Sequence, residues 1–135
     1  MSFITWTQEA FGTNVTIHDQ EHQEIFANLN ALHAAVDSGD RAAVETATSQ
    51  LLATVQSHFA AEEENLRKID YADFAAHKAA HDELLDNCIL LQKKFQAGEL
   101  EITAETTEFI KNWLTAHIPQ VDRAYAAPLL AAGFN

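Results

Sequence analysis

Apolar residues recur along much of the chain at alternating spacings of three and four, the period of helices packed side by side in a bundle. In the first such segment the recurring positions are His22, Ile25, Leu29, Leu32 and Val36. The same alternation runs through residues 44–62, 74–95 and 106–117. The pattern therefore predicts four helices, each with one face directed toward a shared interior.

Short turn-like stretches separate these segments at residues 37–40, 67–72 and 98–103. Short connections favour antiparallel neighbours, so we expect an all-α, up-down-up-down, antiparallel four-helix bundle. The chain of 135 residues has the length of one domain, and we expect residues 1–135 to form a single domain.

Four residues mark the expected helix boundaries. Gly39 and Gly98 are the predicted helix stops, and Asp70 and Thr103 are the predicted N-caps. Before the first helix, an aromatic-rich segment lacks a helical period, and we expect it to form an extended N-terminal arm packed on the bundle. The apolar residues of this arm are Phe3, Ile4, Trp6 and Phe11.

Polar residues occupy several seam positions that a bundle normally gives to apolar ones. They fall at the start of the first and third helices and at the end of the second and fourth, and an up-down-up-down bundle brings these places to the same end. The side chains expected to converge there are His22, His58, Glu62, His77, His81 and His117.

Two pairs in this layer have the spacing of chelating ligands. Residues four apart on a helix differ by roughly 40° around the axis and about 6 Å along it, so each pair can bind one centre. The pairs are His58 with Glu62, and His77 with His81. Since buried charges are normally paired or bound to metal, the layer indicates a metal site.

Asp122 is a further candidate ligand with an irregular spacing. It follows His117 by five residues, which on a regular helix places it about 140° away. Pro119 lies between them, and we expect it to kink or rewind the turn enough to bring Asp122 inward. His33 lies off its seam and is expected to be exposed to solvent. For His18, one turn before the first ligand position, a capping role or a role behind the ligands is favoured over ligation.

Charge and composition narrow the function. Eight basic and 20 acidic residues give a formal net charge of −12, which repels nucleic acids and anionic membrane surfaces. No run approaches the roughly 18 apolar residues of a membrane span, and the N-terminus lacks a signal-peptide pattern, so we expect a soluble cytoplasmic protein. The lone Cys88 cannot form an internal disulfide and is expected to be a small buried hydrophobe rather than a ligand.

The candidate ligands resemble those of a known family. His22, the HFAAE of residues 58–62, the HKAAH of 77–81 and the HIPQVD of 117–122 are similar to the ligand set of the hemerythrins, specifically the single-domain bacterial kind. This resemblance implies two non-heme iron ions joined by a hydroxo or oxo bridge. It further implies that one iron is bound by His77, His81 and His117, the other by His22 and His58, and that both are bridged by Glu62 and Asp122.

The resemblance also implies reversible binding of dioxygen. Five imidazoles, two carboxylates and the bridge leave one of about twelve coordination positions open, on the iron that has two histidines. The expected role is carriage, storage or delivery of oxygen, and not that of an enzyme. The oxygen pocket implied by the family's pattern is lined by Ile25, Phe59, Trp113, Leu114 and Ile118.

Other functions stay open at this point. Glu21 and His18 stand where the family usually has glutamine and an apolar residue, and they could supply protons to a di-iron peroxidase, an oxidase or a nitric-oxide scavenger. An oxygen or iron sensor that acts through a separate partner is a further alternative. The sequence identifies no protein partner, and a bundle of this type can function as a monomer.

Overall fold

The computed structural model describes residues 2–135, and within them all regular structure is helical. The prediction of an all-α protein is therefore confirmed. In chain order the α-helices are α1 (Gln8–Phe11), α2 (Thr16–Ser38), α3 (Arg41–Lys68), α4 (Phe74–Gln96), α5 (Ala104–Gln120) and α6 (Ala126–Ala131), with a 3₁₀ helix (Asp122–Tyr125) between the last two.

The four long helices form the predicted bundle. Helix α2 packs against α3 and α5, and α3 packs against α4. The predicted seams provide the core, since Ile25, Leu29 and Leu32 of α2 are at most 1 % exposed and lie in one buried cluster with Val55 of α3 and Ile110 of α5. Within the described part of the chain, none of the helices combines the length and the apolar character needed to cross a membrane.

Three of the four predicted boundary residues end or begin helices as expected. Gly39 follows α2 in the left-handed conformation (φ 72°), and Gly98 does so after α4 (φ 77°). Thr103 forms a capping box with Thr106 at the start of α5. These local signals were readable because each depends only on residues within one turn.

The prediction that Asp70 begins a helix is wrong. Its N–H donates to the carbonyl of Arg67, and the N–H of Tyr71 donates to the carbonyl of Leu66. These two bonds, together with φ 50° at Asp70, form a Schellman closure of α3. The chain then turns through a further three residues before α4 begins at Phe74.

The N-terminal arm is partly helical and not wholly extended. The segment Gln8–Phe11 forms one helical turn, with the Thr7 hydroxyl accepting a hydrogen bond from the N–H of Ala10. The arm is held on α2 by Asn30, whose side chain accepts from the Ile4 N–H and donates to the Ile4 carbonyl, both at 2.9 Å. It therefore packs on the bundle as predicted.

His33 is not the exposed residue that its position off the seam predicted. Its ring stacks on Phe3 of the arm, with centroids 3.9 Å apart. Its Nδ1 lies 3.0 Å from the Thr107 hydroxyl of α5. The arm covers this face of α2, and the helical period of α2 alone cannot indicate a contact with the arm.

Candidate metal centre

Seven polar side chains meet in one layer near the end of the bundle, and none of them is more than 6 % exposed. The start of α2, the end of α3, the start of α4 and the end of α5 all reach this layer, so consecutive helices run in opposite directions. The side chains are His22, His58, Glu62, His77, His81, His117 and Asp122.

Three of the histidines surround one oxygen from each carboxylate. Glu62 Oε1 lies 2.6 Å from His77 Nε2 and 3.2 Å from His81 Nε2. Asp122 Oδ1 lies 3.0 Å from His117 Nε2 and 3.3 Å from His77 Nε2. We call this arrangement the three-histidine half of the centre.

The other two histidines surround the second oxygen of each carboxylate. Glu62 Oε2 lies 2.9 Å from His58 Nε2 and 3.5 Å from His22 Nε2. Asp122 Oδ2 lies 3.0 Å from His22 Nε2. This is the two-histidine half. In each half the donor atoms lie within 4.8 Å of one another, so the two halves can each hold one cation and share both carboxylates.

Several metal-donor atoms in this layer make no hydrogen bond of acceptable geometry with a protein group, although histidine nitrogens and carboxylate oxygens lie close together. These buried atoms are His22 Nε2, His81 Nε2, His117 Nε2 and Asp122 Oδ1. A buried polar atom without a partner is costly and calls for an explanation. Imidazole and carboxylate ligands together suit iron and similar divalent metals, so the donor set fits a non-heme metal centre.

The sequence profile of the hemerythrin HHE cation binding domain matches residues 13–129. The chain belongs to the hemerythrin family. It is 46 % identical over 132 residues to a bacteriohemerythrin of Methylococcus capsulatus, covering 98 % of this chain and all of that protein. A bacteriohemerythrin of Stenotrophomonas maltophilia is 36 % identical over 126 residues, covering 93 % of this chain and 81 % of that protein.

Solved structures agree with the family assignment. The crystal structure of a wild-type hemerythrin superposes with a TM-score of 0.93 at 45 % identity, covering 95 % of this chain and 98 % of that one. The resemblance inferred from the sequence and the four-helix bundle are both confirmed.

Burial and ion pairing oppose each other in this member of the hemerythrin family. Burial raises the pKa of Glu62, but contacts with the imidazoles, His58 foremost, outweigh it and hold the pKa well below its usual range. Burial and the charge of Glu62 raise the pKa of Asp122, but close contacts with His117, His22 and His77 outweigh them and hold that pKa well below its usual range. Burial lowers the pKa of His58, yet Glu62 and Glu21 raise it to about 10. Without a cation, protons on His22, His58 and His77, whose pKa values are raised, compensate the two carboxylates.

Asp122 reaches the centre because the helical winding changes after His117, as predicted. The change occurs after Pro119 and not at the proline itself. Helix α5 runs through Pro119 and ends at Gln120, and a 3₁₀ helix begins at Asp122. The Val121 N–H still donates to the His117 carbonyl at 2.7 Å. The tighter winding after this bond turns Asp122 toward the interior.

Three residues around the centre were not among the predicted ligands or pocket residues. The Tyr125 hydroxyl donates to Glu62 Oε2 at 2.9 Å. Glu21 and Glu63 each place an oxygen 2.9 Å from a ring nitrogen on the outer side of a histidine, Nδ1 of His58 and Nδ1 of His81 respectively. Burial raises the pKa of Glu21, but hydrogen bonds with His18 and His58 outweigh it and lower the pKa to about 2.

Four of the five residues predicted to line an oxygen pocket are buried in the core, Trp113 is partly buried against it, and two of the five cover histidines of the centre. Phe59 stacks on His81 with centroids 3.7 Å apart, and Trp113 stacks on His117 at 4.1 Å. The other three are buried in the same cluster as Phe59: Ile25, Leu114 and Ile118. Apolar groups therefore adjoin the polar layer.

Proposed function

We propose that this chain binds dioxygen reversibly at a non-heme di-iron centre and acts in oxygen carriage, storage or delivery. The observation that carries the proposal is the division of the two buried carboxylates. Glu62 and Asp122 each direct one oxygen toward the three-histidine half and the other toward the two-histidine half. This is the arrangement needed to bridge two metal ions, and family membership supports iron as the metal.

In this proposal each half of the centre holds one iron. The three-histidine half supplies one imidazole more than the two-histidine half, so the latter is where a small ligand finds a free coordination position. Two ferrous ions, one in each half, would supply two electrons to dioxygen when it binds and recover them when it is released. The proposed ligands are His77, His81 and His117 for one iron, His22 and His58 for the other, and Glu62 and Asp122 for both.

The surrounding residues support binding in preference to turnover. Five neutral imidazoles and two carboxylates bring less negative charge than the Glu-rich sets of di-iron carboxylate proteins. Apolar walls such as Phe59, which is 3 % exposed, limit the access of water and anions. Tyr125 donates to Glu62 and restrains one bridging carboxylate. We also propose a cytoplasmic location, which the single cysteine supports because it cannot form an internal disulfide.

The test is the absorption spectrum of the iron-loaded, anaerobically reduced protein before air, after air, and after removal of the gas. A visible band that appears with dioxygen and disappears on degassing, without added reductant, is the expected result. A stable oxidised spectrum that does not reverse would refute reversible binding and favour a peroxidase or an oxidase. The Glu62→Ala variant is expected to hold well under two irons per chain, and normal iron content would refute the assignment of Glu62.

A further inference from the structure

Glu21 connects the two-histidine half to a small network of polar side chains behind it. One oxygen, Oε1, lies 2.9 Å from His58 Nδ1 and 2.7 Å from His18 Nδ1. His18 is fully buried, and its other ring nitrogen, Nε2, lies 3.1 Å from the amide nitrogen of Asn65. The network thus joins α2, which carries Glu21 and His18, to α3, which carries His58 and Asn65.

The chemistry of Asn65 determines where the protons of this network lie. An amide nitrogen can only donate, so His18 Nε2 accepts and the proton of a neutral His18 lies on Nδ1. His18 Nδ1–H therefore donates to Glu21. With a metal in the two-histidine half, His58 is neutral and likewise donates its Nδ1–H to the same oxygen, so its Nε2 is left free for the metal beside Glu62 and Asp122. A carboxylate that receives two neutral N–H donors keeps its negative charge.

The corresponding contact in the three-histidine half differs in its surroundings. Glu63 Oε2 lies 2.9 Å from His81 Nδ1, but the Lys78 ammonium, which also pairs with Asp82 at 2.9 Å, lies 3.9 Å from the other oxygen of Glu63. Glu21 makes no ion pair with lysine or arginine within residues 2–135. The negative charge behind the two-histidine half is therefore less compensated than the charge behind the three-histidine half.

We propose that Glu21 is a positioning residue for the two-histidine half: it fixes His58 with Nε2 toward the shared carboxylates and places beside this half a negative charge that lowers the reduction potential of iron held there. A carboxylate bonded to the outer nitrogen of a metal-bound imidazole makes that imidazole a stronger donor, which favours the higher oxidation state. Because the Glu21 side chain is 22 % exposed, water screens part of this effect. The inference rests on the proposed di-iron centre.

The charge is tested with Glu21→Gln, which preserves the length of the side chain and an acceptor oxygen. Spectroelectrochemical titration of the iron-loaded protein is expected to show that the equilibrium constant for the first oxidation falls about tenfold. The reduction potential of this one-electron step then rises by about 59 mV. Glu63→Gln is the matched control at the other half, where Lys78 already offsets part of the charge, and its shift is expected to be smaller. An unchanged potential in Glu21→Gln, or a larger shift in Glu63→Gln, would overturn the proposal.

A second variant predicts a shift of opposite sign. His18→Leu removes one of the two donors to Glu21 and leaves the carboxylate and its bond to His58 in place. The stronger remaining interaction is expected to lower the potential, and an unchanged or raised potential would count against the inference. This variant supplies the test even if Glu21→Gln fails to fold.

Positioning has a readout of its own in the zinc-loaded protein, which is diamagnetic. A slowly exchanging Nδ1 proton signal of His58 is expected in the wild type and in Glu21→Gln, and is expected to be lost in Glu21→Leu. Persistence of the signal in Glu21→Leu would refute the positioning role. A wild type that fails to bind two irons would instead overturn the proposed function, so the two failures are distinguishable.

Discussion

The hydrogen bond from Tyr125 to Glu62 offers a test of how the centre is supported. Both side chains are fully buried, and the hydroxyl lies 2.9 Å from Glu62 Oε2. The variant Tyr125→Phe removes the hydroxyl alone and preserves the ring, which packs near His77 and His18 with centroids 5.7 and 5.6 Å away. The change therefore isolates one bond to a buried carboxylate.

The magnitude follows from the charge of the acceptor. A hydrogen bond to a charged group contributes about 1.5–3 kcal/mol, and we expect the free energy of unfolding to fall by about 2 kcal/mol. In the proposed iron-loaded centre Glu62 still binds the metal ions, so the carboxylate is not left without partners. For a chain of 135 residues this loss corresponds to a midpoint lowered by about 7 °C.

The assay is thermal unfolding of the iron-loaded protein, followed by circular dichroism under anaerobic conditions. Tyr71→Phe is the matched control, because Tyr71 is only partly buried and its hydroxyl makes no hydrogen bond within the described residues. Its stability is expected to change by less than about 0.5 kcal/mol. If both variants melt within a degree of the wild type, the bond from Tyr125 does not support the centre.

Three further predictions concern the core, the imidazoles and the thiol. Leu29→Ala, at a fully buried position, is expected to lower the free energy of unfolding, measured in urea, by about 3 kcal/mol. Leu90→Ala, at a position 51 % exposed, should change it by less than about 1 kcal/mol, and similar losses in the two variants would contradict the assigned core. The pKa values of His58 and His77 are raised to about 10 and about 9, so both are protonated in the metal-free chain at a pH of about 7.5. Because imidazole binds metal only when neutral, the chain is expected to release these protons when it binds Zn²⁺. An indicator-dye titration that shows no acidification would contradict this. Cys88 is only partly buried, but this burial raises the pKa of its thiol to about 11. A thiol reagent should therefore react about a hundredfold more slowly with the folded chain than with the unfolded one, and equal rates would refute the raised pKa.

The sequence predicted the features that depend on regular helical spacing. The seam from Ile25 to Leu32 appears in the core, and the polar seam positions His22 and His58 meet at one end. Both follow from one period and one topology, so no tertiary contact had to be known. Thr103 was predictable for the same reason, since its capping bond to Thr106 is local.

The positions that were predicted wrongly or not predicted at all depend on contacts between distant segments or on competing local signals. His33 is covered by Phe3, a residue of the arm that lies 30 positions earlier in the chain. Tyr125 reaches Glu62 across 63 positions, so no spacing along one helix predicts the bond. Asp70 carries a residue type suited to an N-cap, but the same short polar side chain also tolerates the left-handed conformation that ends α3.

The two shared carboxylates reach the centre by different means, and this gives the N-terminal arm a part in the site. Glu62 is positioned by the regular winding of α3, whereas Asp122 begins a short 3₁₀ helix that needs external support. Its neighbour Arg123 donates Nε–H to the Gly12 carbonyl at 3.0 Å and also donates to the Glu9 carbonyl. Asp19 of α2 accepts hydrogen bonds from the N–H and the hydroxyl of Thr13 at 2.8 and 2.7 Å, which fixes the end of the arm to the helix that carries His22. Because the arm and the loop after it bond both to the residue that follows Asp122 and to the helix that carries His22, they link these two parts of the chain, although the arm itself contributes no ligand.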